Sequence, residues 1–284
     1  MPIMTYREAI AAALREELAR DERTFLLGEG IGYGSGAFRV TAGMLSQFGE
    51  RRIRDAPRSD AALAAVAIGA AMGGLVPIVE MRSGALALAA AGQLMNHRTL
   101  PIVIRAPLGD DGAPAAIAIS PEVRVVAPAS PADAKGMLKS AIRHAGPVIV
   151  LEHRSLYDLC GEVPDDPDYQ APLEGARIIR GGAALTIVAY SHAVEESRSA
   201  AAILEDRGIS AEILDLRALV PLDTAAVAAS IAKTGRVILA SEGTADAEIA
   251  ASIYRGAFRS LRAPIEIVSP ARSRDIVKVA TRLG

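Results

Sequence analysis

The sequence predicts an α/β protein built from two doubly wound domains. Segments typical of strands and segments typical of helices alternate along nearly the whole chain. The strand segments are short, continuous and rich in β-branched residues, which is typical of parallel strands that are buried on both faces. Between residues 155 and 182 the alternation stops, and the chain becomes rich in Pro, Asp and Gly. We therefore expect a first domain over 1–158, a linker over 159–182 and a second domain over 183–284.

The first domain alternates between the two kinds of element from its beginning. "TYREAIAAALREELAR" has apolar residues at helical spacing, and Thr5 and Glu8 have the spacing of a capping box. The strand "TFLLG" follows, and Ser59 can cap the next helix. The later segments are the strand "VPIVE", the helix "GALALAAAGQLMNH", the strands "PIVIR" and "VRVVAP", a helix that begins at Ser130 and Pro131, and the strand "PVIVLE".

The second domain repeats the same alternation. Its strand segments are "ALTIVAY", "SAEILDL", "RVILAS" and "PIEIVS". Its helical segments are "AVEESRSAAAILEDRG", "TAAVAASIAKTG", which Asp223 can cap, and "DAEIAASIYRGAFRS". This part of the chain therefore predicts a second doubly wound unit.

Composition and charge exclude several classes of function. The 284 residues are 51% hydrophobic and 23% charged, and the formal net charge is −2. There is no basic run and no set of aromatic residues on which bases could stack, so we expect no nucleic-acid partner. The apolar run over 61–79 contains three glycines and a proline and ends at Glu80, so we interpret it as a buried helix, a turn and a strand rather than a membrane span.

Cysteine usage and the N-terminal segment indicate the compartment. Cys160 is the single cysteine, so the chain has no internal disulfide and no Cys/His metal cluster. The first residues carry acids throughout and lack an apolar signal core. We therefore expect a reducing, cytoplasmic setting.

A glycine-rich loop follows the strand "TFLLG". The segment "GEGIGYGSGAF" (28–38) contains five glycines. It is neither a dinucleotide fingerprint nor a P-loop, because the required helix and the Lys-Ser/Thr pair are missing. Two interpretations stay open: a flexible surface loop, or a loop whose backbone approaches a ligand or a partner closely.

Asp60 begins the helix that Ser59 caps. A carboxylate in the first helical turn is stabilised by the helix dipole and by free N–H groups, so composition alone explains this acid without a catalytic role. The four histidines lie outside any nucleophile motif, and we interpret them as structural. The sequence surrounding Asp60 suggests a further role for it.

Most of the chain resembles one family of enzymes. The segments that carry the resemblance are "LREELARDERTFLLGEGIG", "RIRDAPRSDAALAAVAIGAAMGGLVPIVEM", "PIVIRAP", "VRVVAPASPADAKGMLKSAIR", "PVIVLEHRSLY", "ISAEILDLRALVPLD" and "KTGRVILASEG". They resemble the β subunits of the thiamine-diphosphate-dependent 2-oxo acid dehydrogenases, the first components of the pyruvate, branched-chain and acetoin dehydrogenase complexes. The resemblance implies a pyrimidine-binding domain followed by a transketolase-type C-terminal domain.

The resemblance also implies a cofactor and a partner. Thiamine diphosphate lies between an α-type and a β-type subunit in this family. This chain would hold the pyrimidine end, and the α-type subunit would hold the diphosphate and Mg²⁺. The usual assembly is an α2β2 heterotetramer.

Two acids carry over from the family's site. The family has a glutamate at the position of Asp60, where it hydrogen-bonds a ring nitrogen of the aminopyrimidine and promotes its imino tautomer. Asp60 keeps the acid but is one methylene shorter. Glu29 matches a second acid that lines the pocket. The resemblance therefore assigns Asp60 as the catalytic residue and Glu29 as a cofactor-binding residue.

Other positions depart from the family's pattern. Leu86 stands where a phenylalanine stacks on the pyrimidine, and Ala89 replaces a glutamine. Arg58 takes a place that usually holds an apolar residue beside the cofactor. The segment between "PIVIRAP" and "VRVVAP" contains no histidine, although the family's active-site loop carries one there. The expected cofactor-binding set is therefore Glu29, Arg58, Asp60 and Leu86.

Two hypotheses about function follow from these departures. In the first, the chain is a working subunit that acts on a 2-oxo acid or a ketose-like donor and transfers an acyl or ketol unit, with a modified site. In the second, it is a structural partner that keeps the α–β interface and performs no chemistry. Arg58 would favour the second hypothesis if it held the carboxylate of Asp60 in the anionic form.

Overall fold

The chain folds as two α/β units, which a computed structural model describes over residues 1–56, 59–108, 122–243 and 246–283. The first unit holds the described residues from Met1 to Leu173, and the second holds those from Glu174 onward. The predicted fold class is confirmed, since parallel strands alternate with helices in both units. Within the four described ranges, no helix combines the length and the apolar character that a membrane crossing requires.

The first unit contains the elements that position the candidate site. Its strands are β1 (Ile3–Thr5), β2 (Thr24–Gly28), β3 (Ile53–Asp55), β4 (Val76–Glu80), β5 (Val103–Leu108), β6 (Arg124–Val126), β7 (Val148–His153) and β8 (Cys160–Glu162). Its helices are α1 (Tyr6–Arg20), α2 (Met44–Phe48), α3 (Asp60–Met72), α4 (Gly84–Leu94) and α5 (Pro131–Ile142). Short 3₁₀ turns lie at Ala37–Arg39 and Arg154–Leu156.

The order of the parallel strands creates a crevice at one edge of the sheet. The strands run in the order β6-β7-β5-β4-β2-β3, and each of these pairings is parallel. The chain passes from β2 to β3 on one side and then to β4 on the other side of β2. Where strand order reverses in this way, ligands bind outside the carboxyl ends of the two strands. The topology therefore points to the carboxyl ends of β2 and β4.

The predicted helix caps form as the sequence indicates. The hydroxyl of Thr5 accepts the Glu8 N–H, and the Glu8 carboxylate accepts the Thr5 N–H at 2.8 Å, which completes the capping box. Side chains of Ser59, Ser130 and Asp223 cap α3, α5 and a helix of the second unit. These local signals were sufficient because each cap satisfies N–H groups of its own helix.

The second unit is a smaller sheet with helices packed against it. The strands of this sheet are β9 (Arg177–Arg180), β10 (Leu185–Ala189), β11 (Ala211–Asp215), β13 (Val237–Ala240) and β14 (Glu266–Val268). The short strand β12 (Ala218–Val220) lies in the same part of the chain but is not a member of this sheet. The helices of the second unit are α6 (Ala193–Glu205), α7 (Thr224–Thr234), α8 (Asp246–Ala257) and α9 (Ser273–Leu283), and a 3₁₀ turn lies at Phe258–Ser260. The sheet order is β14-β13-β10-β11-β9, and β9 pairs antiparallel to β11 at the edge.

The segment predicted as a linker contains regular structure at both ends. β8 pairs antiparallel with β1, with Ile3 opposite Glu162, and β9 joins the second sheet. The two units divide between Leu173 and Glu174, inside the expected linker range. The boundaries 1–158, 159–182 and 183–284 stay a prediction.

Two glycine substitutions should change stability in opposite directions. A Cβ at Gly136 in α5 would lie 2.7 Å from the Cβ and N of Ala171, so Gly136→Ala is expected to destabilise the fold by about 1–3 kcal/mol through overpacking. Gly69 lies exposed within α3, and no atom outside its own helix is within 4 Å of a Cβ built there. Gly69→Ala is therefore expected to stabilise the chain by about 1 kcal/mol. Urea unfolding midpoints of the two variants would show the opposite signs, and equal midpoints would contradict the packing at Gly136.

Candidate functional site

A pocket opens where the topology places the crevice. Its volume is about 480 Å³, and residues at or after the carboxyl ends of β2, β4 and β5 line it. The lining residues in or directly after these strands are Glu29, Glu80, Met81, Arg82, Pro107 and Leu108. The glycine-rich loop and Arg154 complete the lining. The pocket therefore lies entirely within the first unit, at the point where its strand order reverses.

The glycine-rich loop forms one wall of this pocket because its backbone approaches β4 closely. Gly36 has a positive φ of 68°, and a Cβ there would lie 2.8 Å from Oε1 of Glu80. The Ala37 N–H donates to that same Oε1 at 2.5 Å. The hydroxyl of Thr41 donates to the carbonyl of Ile31 at 2.6 Å, which holds the loop closed on itself. These contacts join the loop to β4 and to itself, and its approach to a ligand or partner stays a prediction.

Behind the pocket, the buried Arg105 of β5 bonds to acids of the two neighbouring strands, β4 and β7. Nε of Arg105 donates to Oε1 of Glu152 at 2.9 Å, and its NH2 donates to Oε2 at 2.8 Å. Its NH1 bonds to Oε2 of Glu80. The side chains of Arg105 and Glu152 are each 1% exposed, and that of Glu80 is 9% exposed. The guanidinium therefore holds two carboxylates together at the carboxyl edge of the sheet.

Burial and charge shift the acid–base properties of this cluster. Burial raises the pKa of the Glu80 carboxyl, and the charge of Arg105 opposes that shift. Burial also disfavours the charged form of Arg105, but the carboxylates of Glu152 and Glu80 outweigh it and raise the pKa of the guanidinium. Arg105 is therefore the permanent positive charge of the cluster.

An aromatic stack extends from this cluster to the rim of the pocket. The hydroxyl of Tyr157 donates to Oε2 of Glu152 at 2.7 Å. The ring of Phe38 stacks on Tyr157 with the centroids 4.5 Å apart and the planes at 24°. The guanidinium of Arg154 lies over the ring of Phe38, 5.7 Å from its centroid. This stack joins the glycine-rich loop to the residues that follow β7.

Tyr157 should make stability fall at alkaline pH. Burial raises the pKa of its phenol well above the ordinary value. From about pH 10 upward the unfolded chain therefore releases this proton while the folded chain keeps it, so the free energy of unfolding decreases as pH rises. We expect Tyr157→Phe to remove part of that decrease, measured by urea unfolding between about pH 9 and pH 11. Tyr254→Phe, at a tyrosine that is 53% exposed, should keep the wild-type slope; identical slopes in all three proteins would contradict the prediction.

The structure describes the four expected cofactor-binding residues in different detail. Glu29 lines the pocket, and its Oε2 lies 3.5 Å from Nε of Arg82. Asp60 is the first residue of α3, and Leu86 lies in the first turn of α4; the structure describes the backbone of these two residues. Both helices follow strands of the sheet, so they begin at the same edge as the pocket. Arg58 lies outside the described residues.

The charged cluster and the aromatic stack were not predicted from the sequence. A signal was present, because "VPIVE", "PIVIR" and "PVIVLE" each end an otherwise apolar strand with a charged residue. Three such strands side by side bring these charges to one edge of a parallel sheet. Opposite signs at buried strand ends predict ion pairs. Phe38 and Arg154 carried no comparable signal, since both come from irregular segments.

Comparisons with known proteins agree with the resemblance seen in the residues. The sequence matches the family described as "Transketolase, pyrimidine binding domain" over residues 3–158 and the family described as "Transketolase, C-terminal domain" over residues 174–274. It is similar to a solved structure titled a split gene transketolase, inactive beta4 tetramer, with a TM-score of 0.74, 21% identity, and 99% of this chain and 98% of that chain covered. At that identity the structural likeness shows the fold alone.

Two curated relatives have a higher sequence identity to this chain and show its family. The 2-oxoisovalerate dehydrogenase subunit beta of Bacillus subtilis (strain 168) is 40% identical over 291 residues, which cover 94% of this chain and 89% of that protein. The pyruvate dehydrogenase E1 component subunit beta of Rhizobium meliloti (strain 1021) is 40% identical over 292 residues, which cover 93% of this chain and 63% of that protein. The chain therefore belongs to the family of β subunits of the thiamine-diphosphate-dependent 2-oxo acid dehydrogenases.

Proposed function

We propose that this chain is the β-type subunit of a two-subunit thiamine-diphosphate-dependent enzyme that acts on a 2-oxo acid or a ketose-like donor. The reaction would be decarboxylation with acyl transfer, or transfer of a ketol unit, in a site modified from the family's pattern. The observation that supports this most is the position of the pocket. It lies at the reversal of strand order, at the edge where α3 begins with Asp60 and α4 follows β4.

The residues of the pocket fit an aminopyrimidine ring. The volume of about 480 Å³ lies within the range of sites for small ligands. The Glu29 carboxylate offers a hydrogen-bond acceptor, while Met81, Pro107 and Leu108 offer an apolar wall. The glycines of the loop leave room for a ligand to approach the backbone. Glu29, Arg58, Asp60 and Leu86 are the residues that we propose to hold the ring.

Asp60 is the residue that we propose to handle a proton. Thiamine diphosphate, when bound, supplies a carbon nucleophile that attacks the carbonyl group of the donor. The carboxyl of Asp60 would accept or donate a proton at a ring nitrogen. The apolar side chain of Leu86 would exclude water where the family has an aromatic ring.

The partner would complete the site. The relatives named above are β subunits, one of them of an E1 component. We propose an α-type subunit that carries the diphosphate and Mg²⁺, in an α2β2 heterotetramer. The single Cys160 is free and exposed, so we place the enzyme in a reducing cytoplasm.

Calorimetry of the complete enzyme tests this proposal. Thiamine diphosphate with Mg²⁺ would be titrated into the chain purified together with its α-type partner. We expect Asp60→Ala to weaken binding and to abolish turnover of 2-oxo acids. Glu22→Ala is the matched control, because Glu22 is an exposed acid outside the pocket.

The other outcome would support the second hypothesis about function. If the wild-type complex fails to bind the cofactor, or binds it equally with Asp60→Ala and turns over no donor, the catalytic proposal is wrong. The chain would then be a structural partner that stabilises the α-type subunit.

A further inference from the structure

Arg154 presents a positive charge at the rim of the pocket. It lines the cavity of about 480 Å³, and its side chain is exposed. The 3₁₀ turn Arg154–Leu156 sets its backbone directly after β7. Among the described residues, no carboxylate forms an ion pair with this guanidinium. Its contact is with the ring of Phe38.

The stack beneath Arg154 is anchored in the core. Phe38 packs on Tyr157, which is 1% exposed. Tyr157 is fixed by its hydrogen bond to Glu152 and by an edge-to-face contact with Tyr6, whose centroid is 6.0 Å away. The cation–π contact therefore holds the guanidinium on a rigid support before any ligand arrives. Preorganisation of this kind lowers the entropic cost of binding.

The acids of the same pocket are each matched by another cation. Oε2 of Glu29 lies 3.5 Å from Nε of Arg82. The carboxylate of Glu80 accepts from Arg105 and from the Ala37 N–H. Neither acid is engaged with Arg154. The guanidinium of Arg154 is thus available to an anion that enters the pocket.

We propose that Arg154 binds an anionic group at the end of the donor substrate remote from the reacting carbonyl. A guanidinium presents its N–H donors in a planar fork that matches a carboxylate or a phosphate with two parallel hydrogen bonds. The donor would be a dicarboxylic 2-oxo acid or a phosphorylated ketose, which share a terminal oxyanion. This inference rests on the proposed function, because it names the substrate class of the same site.

Paired donors test the inference in the complex of this chain with its α-type partner. One pair is 2-oxoglutarate and 2-oxopentanoate, which have the same chain length and differ in the terminal carboxylate. The other pair is fructose 6-phosphate and fructose, which differ in the phosphate. We expect the wild-type complex to show a higher kcat/KM for the anionic member of one pair, and the pair that shows it identifies the anion.

Variants of Arg154 distinguish a loss of donor recognition from a general loss of the folded site. For that pair, the preference is kcat/KM of the anionic donor divided by kcat/KM of the neutral donor. Arg154→Gln should lower this ratio by about tenfold to a hundredfold, mainly because KM of the anionic donor rises. Arg154→Lys should restore part of the ratio, since the charge remains. Arg98→Gln, at an arginine outside the pocket, should leave the ratio unchanged. Calorimetric binding of thiamine diphosphate should be the same in wild type and Arg154→Gln.

Each result distinguishes the inference from the proposed function. Equal kcat/KM for both members of both pairs, or a preference that Arg154→Gln leaves unchanged, overturns the role of Arg154 while the proposed function stands. A complex that binds no cofactor and turns over none of the four donors overturns the proposed function, and the inference with it.

Discussion

Asp60→Asn is expected to lower turnover of the two-subunit enzyme by about 10²- to 10⁴-fold, the usual contribution of a positioned acid or base. Asn has the same shape as Asp and is also tolerated at a helix N-terminus. It lacks the carboxyl that exchanges a proton at a ring nitrogen. The fold should persist, because the Ser59 hydroxyl, which caps α3 by accepting the Ala62 N–H, is untouched. Steady-state kinetics with a 2-oxo acid, together with the thermal unfolding midpoint, would separate lost chemistry from lost stability.

Asp60→Glu is the matched variant, since it restores the acid of the family's usual length. We expect it to keep turnover within an order of magnitude of the wild type, or to raise it. If Asp60→Asn and Asp60→Glu both match the wild type, the acid at this position takes no part in the reaction. If both abolish turnover, the site is adapted to the shorter carboxylate rather than to an acid in general.

Much of the fold could be predicted because its signals are local. Apolar runs that include "TFLLG" and "VPIVE" form the strands β2 and β4, with the same boundaries. The caps at Thr5, Ser59 and Asp223 mark the starts of their helices. The strands β1, β8 and β9 were not predicted. Each has only three or four residues, which is too short to show an alternating pattern, and each is a strand because it pairs with a segment distant in sequence. Helix α9 was missed although Ile276, Val277 and Ala280 form its buried face.

The interactions around the pocket could not be predicted from the sequence, and the predicted site residues stay a prediction. The glycine-rich segment lines the pocket, Asp60 begins α3 at the same edge of the sheet, and Glu29, expected from the resemblance, is one of the lining residues. The pairing of Glu80 with Arg105 depends on register, because β4 and β5 align these two residues directly. Phe38 reaches Tyr157 through a left-handed backbone conformation, with φ at 51°, that no local pattern indicated. The network behind the pocket is therefore a product of tertiary structure.

Arg105→Met is expected to have the largest effect on stability, a loss of about 3–5 kcal/mol, because it leaves two buried carboxylates without their cation. Glu152 is 1% exposed and loses both of its bonds to the guanidinium, while Glu80 keeps the Ala37 N–H. The charge of Arg105 opposes the rise in the pKa of Glu80 that burial causes, so its removal lets that pKa rise further, and the folded variant binds this proton more readily than the unfolded chain does. The difference in stability between variant and wild type should therefore shrink as pH falls from 7 to about 5, as the folded variant takes up a proton at Glu80.

A double variant shows whether the cost belongs to the unpaired charge or to the lost packing. Arg105→Met combined with Glu152→Gln removes one of the two carboxylates, so we expect it to be more stable than Arg105→Met alone. Urea unfolding at pH 7 and pH 5 would measure all the proteins under the same conditions. A loss below about 1 kcal/mol for Arg105→Met, or a loss independent of pH, would mean that water reaches the carboxylates. In that case the stack of Tyr157 and Phe38 would lack its rigid base, and the orientation of Arg154 would depend on a bound ligand instead.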